Sequence, residues 1–80
     1  MTVGEDLLRV VRLLVDDPRA ARVEERELPD GTLELQVHLP ENERGKLIGR
    51  HGRTIEALRA LATAREARDH RRYAVELAED

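Results

Sequence analysis

Residues 45–58, GKLIGRHGRTIEAL, hold three glycines within eight positions and gather Lys46, Arg50, His51 and Arg53 around them. Glycine lacks a Cβ, so it can take positive φ at a helix end and lets a second backbone come close. A helix starting just after Gly52 would offer unpaired amide donors and its positive dipole end to an anion. Between the glycines, Arg50 and His51 must project from the tip of the connection into solvent. Four residues of this kind between two helices suit an extended anionic backbone, such as a phosphodiester, better than a small metabolite. Glycine caps on an ordinary helix–turn–helix connection would account equally for a bare Gly-x-x-Gly. Here the cationic flanks and the strand pattern ahead of them favour the gripping loop.

The distribution of charge points the same way. The chain has 80 residues and a net charge of −3. Residues 1–43 carry five Arg against eleven acids, a balance of −6, and residues 44–72 carry nine Lys or Arg against three acids, a balance of +6. Glu76, Glu79 and Asp80 make the tail −3. A cationic third inside an acidic protein is the footprint of a polyanion partner, whereas the total alone would argue against one. Charges spread over solvated helix faces are the plainer account of any charge run, and the glycine motif tips the balance.

Other chemistries find little in this chain. Cysteine and serine are both absent, which removes disulfides, thiolate metal sites and two of the usual nucleophiles. His38, His51 and His70 show no ligand spacing, and Lys46 in GKLIG lacks the spacing of a P-loop. Asp16-Asp17 and Glu24-Glu25 read as solvated acids at a helix end and in a polar strand. No enzyme activity, metal, cofactor or small-molecule substrate is expected. The start, MTVGEDLL, is acidic where a signal peptide is basic, and no apolar run nears the ~20 residues of a bilayer span. A soluble cytoplasmic protein without a membrane partner is expected. Tyr73 is the sole aromatic, so the core must be aliphatic, and Tyr73 itself reads as a core residue rather than a stacking platform.

The elements that must position the loop follow from periodicity. Residues 5–16 place Leu7, Val10, Val11 and Leu14 on one helical face, with Arg9 and Arg12 off it, and Pro18 stops the helix. Residues 21–28 alternate loosely, Pro29-Asp30-Gly31 turns the chain, and 32–39 alternate strictly, Leu33, Leu35, Val37 and Leu39 to one side. Together they predict an antiparallel hairpin. Residues 41–48 allow two helical turns. Residues 53–67 put Ile55, Leu58, Leu61 and Ala62 on a stripe with Arg59 and Arg65 elsewhere, and 72–78 alternate as a third strand. The predicted class is α+β in the order α-β-β-α-α-β, one domain over residues 1–80, with a three-stranded sheet and helices packed on one face.

The segment 47-LIGRHGRTIEALRAL-61 resembles the signature of the K-homology (KH) domain, roughly [V/I]-I-G-x-x-G-x-x-I. An extra helix and strand ahead of the β-α-α-β core resemble the type II, prokaryotic arrangement. A free-standing domain of this length is similar to the small bacterial KhpA family, and the resemblance covers nearly the whole chain. It implies that Gly49, Arg50, His51 and Gly52 grip nucleic-acid backbone and that about four unpaired nucleotides lie in the adjoining groove. Ile48 and Ile55 would anchor the two helices on the sheet. Lys46 and Leu47 would line one wall, with Arg53 opening the next helix. Strand 32–39 and the basic connection 68–72 would form the other wall, making Arg71 and Arg72 candidate contacts. Where family members often carry Lys, this loop has Arg-His; Arg keeps the charge and adds planar donors, while His51 contributes charge only as it protonates.

The function implied is a non-catalytic binder of single-stranded RNA, an RNA chaperone or post-transcriptional regulator. With one aromatic, base stacking contributes little, so the isolated domain should bind weakly and with little sequence preference. The alternative is an interaction module, forming a homodimer or pairing with a larger KH protein of the Jag type, with RNA secondary. Duplex DNA binding through 41–67 is disfavoured by the short first helix.

Overall fold

The computed structural model describes residues 2–48 and 52–78, of which 46–48, 52 and 53 are described as backbone only. The order is α1 (Val3–Leu14), a 3₁₀ turn (Pro18–Ala20), β1 (Arg22–Glu27), β2 (Leu33–His38), α2 (Glu41–Ile48), α3 (Gly52–Asp69) and β3 (Tyr73–Leu77).

α1 starts two residues before the expected position because Thr2 caps it. Thr2 Oγ1 accepts the Glu5 N–H at 3.1 Å and the Thr2 N–H donates to Glu5 Oε1 at 3.0 Å, a reciprocal capping box. These bonds hold the Glu5 carboxyl below its ordinary range. The helix ends at Leu14 rather than residue 16, since Val15 is already extended. Its buried stripe is accordingly Val3, Gly4, Leu7 and Val11, and Leu14, expected on the core face, is 49% exposed.

β1 and β2 form the expected hairpin, antiparallel from Arg22↔His38 to Glu27↔Leu33. Gly31 takes φ +90° in the turn, and Asp30 Oδ1 accepts the Thr32 N–H at 2.9 Å. β3 joins the other edge of β2 in parallel, Leu33↔Tyr73 to Val37↔Leu77, so the sheet order is β1-β2-β3. A parallel neighbour needs a long crossover, and α2 with α3 supplies it. Alternation sets the register: Leu35, Val37, Leu39 and Val75 turn inward to meet Leu7 and Val11 of α1 and Leu58 and Ala62 of α3. The opposite sheet face carries ion pairs such as Arg26–Glu34 (3.2 Å) and Arg22–Glu24 (3.1 Å).

α3 runs to Asp69, two residues beyond the expected end. Arg65, expected off the buried stripe, lies on its continuation with Leu58, Ala62 and Asp69. Its side chain is 13% exposed and pairs with Asp6 and Asp69. The stripe has left the apolar core there and become polar. His70, at φ 55°, ends the helix in the left-handed region. Tyr73 packs against the core as expected, and its hydroxyl donates to Asp69 Oδ2 at 2.6 Å. That bond, and then burial, push the phenol pKa up.

Candidate nucleic-acid interface

α2 ends at Ile48 and α3 begins at Gly52, so the Gly-x-x-Gly stretch does connect two helices directly. Gly49, Arg50 and His51, the expected grip, lie outside the described residues. So do the side chains of Lys46, Leu47, Ile48 and Arg53; their backbones form the last turn of α2 and the first turn of α3. Ile55 is partly buried and packs against the core, where the resemblance put it.

The helix starts differ in a way that bears on anions. α1 has Glu5 and Asp6 in its first turn and α2 has Glu41 and Glu43, so their dipole ends are answered from within the chain. The first turn of α3 contains no acid. The positive dipole end of α3, at the second glycine of the motif, is therefore not answered by a carboxylate of its own first turn.

The strand expected as the far wall of a groove does not lie at an edge of the sheet. β2 is the middle strand, hydrogen-bonded on both sides, and has no free edge to offer. The open edge beside α3 belongs to β3. There Arg59 Nε donates to the Val75 carbonyl at 3.3 Å, and Arg59 Nη2 stands 4.0 Å from Glu76 Oε2. A cleft of about 220 Å³ runs along this seam, lined by Arg59, Thr63, Tyr73, Ala74, Val75 and Glu76. Just past β3, Arg44 Nη1 donates to the Ala78 carbonyl at 3.2 Å.

Arg71 and Arg72 are not brought to this place. The 18 residues of α3 span ~27 Å at ~1.5 Å per residue, and both arginines follow its far end. Arg71 pairs with Glu27 of β1 at 3.3 Å, and the Arg72 carbonyl accepts the Leu33 N–H at 2.9 Å. The resemblance grouped them with the loop by making the basic connection 68–72 part of the second wall. Arg44 and Arg59 belong to the cationic run 44–72 too and were not singled out. Their only sequence signal was position: Arg59 follows Gly52 by two helical turns.

Among the described residues, no helix is long and apolar enough to cross a membrane, and no cluster of three or more His, Cys, Asp or Glu could hold a metal ion.

A sheet of this order, with a helix and strand ahead of the β-α-α-β unit and two helices meeting at Gly-x-x-Gly, defines a type II KH domain. Residues 5–77 match the family model described as KhpA/KhpB, KH domain, and the chain belongs to that family, which is one of non-catalytic binding proteins. A protein of Leifsonia xyli subsp. xyli named RNA-binding protein KhpA is 40% identical over 74 residues, 92% of this chain and 93% of that one. Proteins of the same name from Treponema pallidum and Streptomyces coelicolor are 38% identical over 79 residues and 43% over 61. These alignments cover 96% and 75% of each chain in the pair, respectively.

Proposed function

We propose that this protein binds single-stranded RNA without catalysis, gripping the phosphate backbone with Gly49, Arg50, His51 and Gly52, flanked by Lys46, Leu47 and Arg53. The observation that carries the reading is the meeting of two helices at this stretch, with α3 opening on Gly52 and no acid in its first turn. The names of the relatives support the ligand class. Strand β3 and Arg59 replace Arg71 and Arg72 as the second wall. The one aromatic, Tyr73, is engaged with Asp69, so bases meet aliphatic and backbone groups, and affinity stays modest. A role as a cytoplasmic RNA chaperone or post-transcriptional regulator fits weak, unselective binding.

The test is the double variant R50D/H51D. Its affinity for a fluorescein-labelled oligouridylate should fall by about 100-fold, with the salt dependence reduced and the circular dichroism unchanged. Binding equal to wild type would sink the clamp.

A second reading has its own observation. Leu13 is 81% exposed and Leu14 49%, side by side at the end of α1. They favour a homodimer or a KH partner of the Jag type, and the family model spans both KhpA and KhpB domains. Sedimentation with and without RNA separates the readings: a dimer indifferent to RNA at low salt makes association the primary role.

A further inference from the structure

α2 carries the Gly-x-x-Gly connection at its C-terminal end, yet the usual means of holding such a helix are missing from its first half. Residues Glu41-Asn42-Glu43-Arg44-Gly45 include no apolar side chain. A helix of eight residues has no stability of its own in water. What fixes this end is polar. Glu43 is 2% exposed, the one buried charged residue among those described. Its Oε2 accepts the N–H of Asp16 at 2.7 Å and of Asp17 at 3.1 Å, both in the connection between α1 and the 3₁₀ turn. Both amides donate to one carboxylate oxygen, and losing that acceptor would leave the two amides without it. The next residue, Arg44, bonds the Ala78 carbonyl just past β3. Consecutive helical residues point ~100° apart, so the two bonds hold α2 from two directions.

We infer that Glu43, assisted by Arg44, is a positioning residue for the loop. By tying α2 to the end of α1 it sets the tilt of that helix, and hence where the backbone of residues 46–48, which leads into the loop, stands against the first turn of α3. The helix is ~12 Å long, and a swing of about 10° would move its far end by ~2 Å, enough to take a hydrogen bond out of range. Glu43 is buried and touches no ligand; its functional consequence rests on the RNA reading above.

Glu43→Gln keeps the shape and removes the charge. Three readouts are taken beside wild type and R50D/H51D: the amide NMR spectrum of the RNA-free protein, hydrogen exchange at Asp16 and Asp17, and oligouridylate affinity over a salt series. Exchange at both amides should quicken, and the amides of residues 46–53 should shift while those of the sheet stay in place. Affinity should fall about ten-fold with the salt slope unchanged, because no phosphate contact is removed. Affinity within about two-fold of wild type despite quicker exchange would overturn the inference, as would a salt slope lower by about one, the mark of a lost phosphate contact. Should E43Q fail to fold, R44M is read by the same spectrum, and unmoved 46–53 amides overturn the inference. Should R50D/H51D bind like wild type, the RNA reading fails instead. The positioning role then stands or falls on the 46–53 shifts of RNA-free E43Q.

Discussion

The two ends of α3 carry similar numbers of cations and treat them in opposite ways. At the far end Arg65 lies between Asp6 and Asp69, Arg71 faces Glu27, and Tyr73 donates to Asp69. Every one of these groups is matched by an acid from another part of the fold. At the loop end the first turn of α3 has no acid, and Arg59 and Arg44 bond main-chain carbonyls of β3 and the residue after it. Arg59 meets the Glu76 carboxylate only at 4.0 Å, with both side chains more than half exposed. A cationic run in sequence is therefore two surfaces in space. One is a lock that joins α1, α3 and β1, and the other is the surface we propose for a polyanion.

Substitutions at each end should separate these roles. The largest effect is the charge reversal of the loop, R50D/H51D, on RNA affinity. Next comes Arg65→Ala, which strips a mostly buried cation from two carboxylates. It should cost about 2 kcal/mol of stability, a fall of roughly 10 °C in melting temperature, and leave RNA affinity of the folded protein unaltered. If R65A melts like wild type, the lock is not one. Arg59→Ala should weaken RNA binding about five-fold and lower the salt slope, whereas R71A/R72A should stay within about two-fold. The reverse ranking would return the second wall of the groove to the 68–72 connection.

Smallest is Tyr73→Phe, about 1 kcal/mol in stability for the lost hydroxyl bond, read by urea unfolding. The phenol pKa is raised in the fold, so the neutral form is favoured there. Its contribution is complete below the unfolded value of ~10 and is lost as pH rises through the folded one. Wild type should thus lose stability in that alkaline range, and Y73F should lose less.

Most of the fold was legible because its signals are local. Strict alternation over residues 32–39 put Leu35, Val37 and Leu39 inward, and Pro29-Asp30-Gly31 announced the turn that Gly31 makes at φ +90°. The start of α1 was legible too but missed: Thr2 and Glu5 are a capping box in plain sequence. Arg65 was misplaced because a helical stripe is judged by its apolar members, and this stripe turns polar where α3 outruns the core. At the candidate site, the break between α2 and α3 at the glycine stretch was legible. Its second wall was not, because nothing local says which strand of three is the edge.

By itself the sequence determined the elements, the glycines between two helices and the uneven charge, since period, turn chemistry and helix caps act over a few neighbouring residues. Tertiary structure decided which of the cations remain open. Asp6 meets Arg65, Glu27 meets Arg71 and Glu43 meets the amides of Asp16 and Asp17, each across 26 or more residues of chain. Such pairings exist only once the sheet has set its order and α3 has carried Arg65 and Arg71 away from the loop.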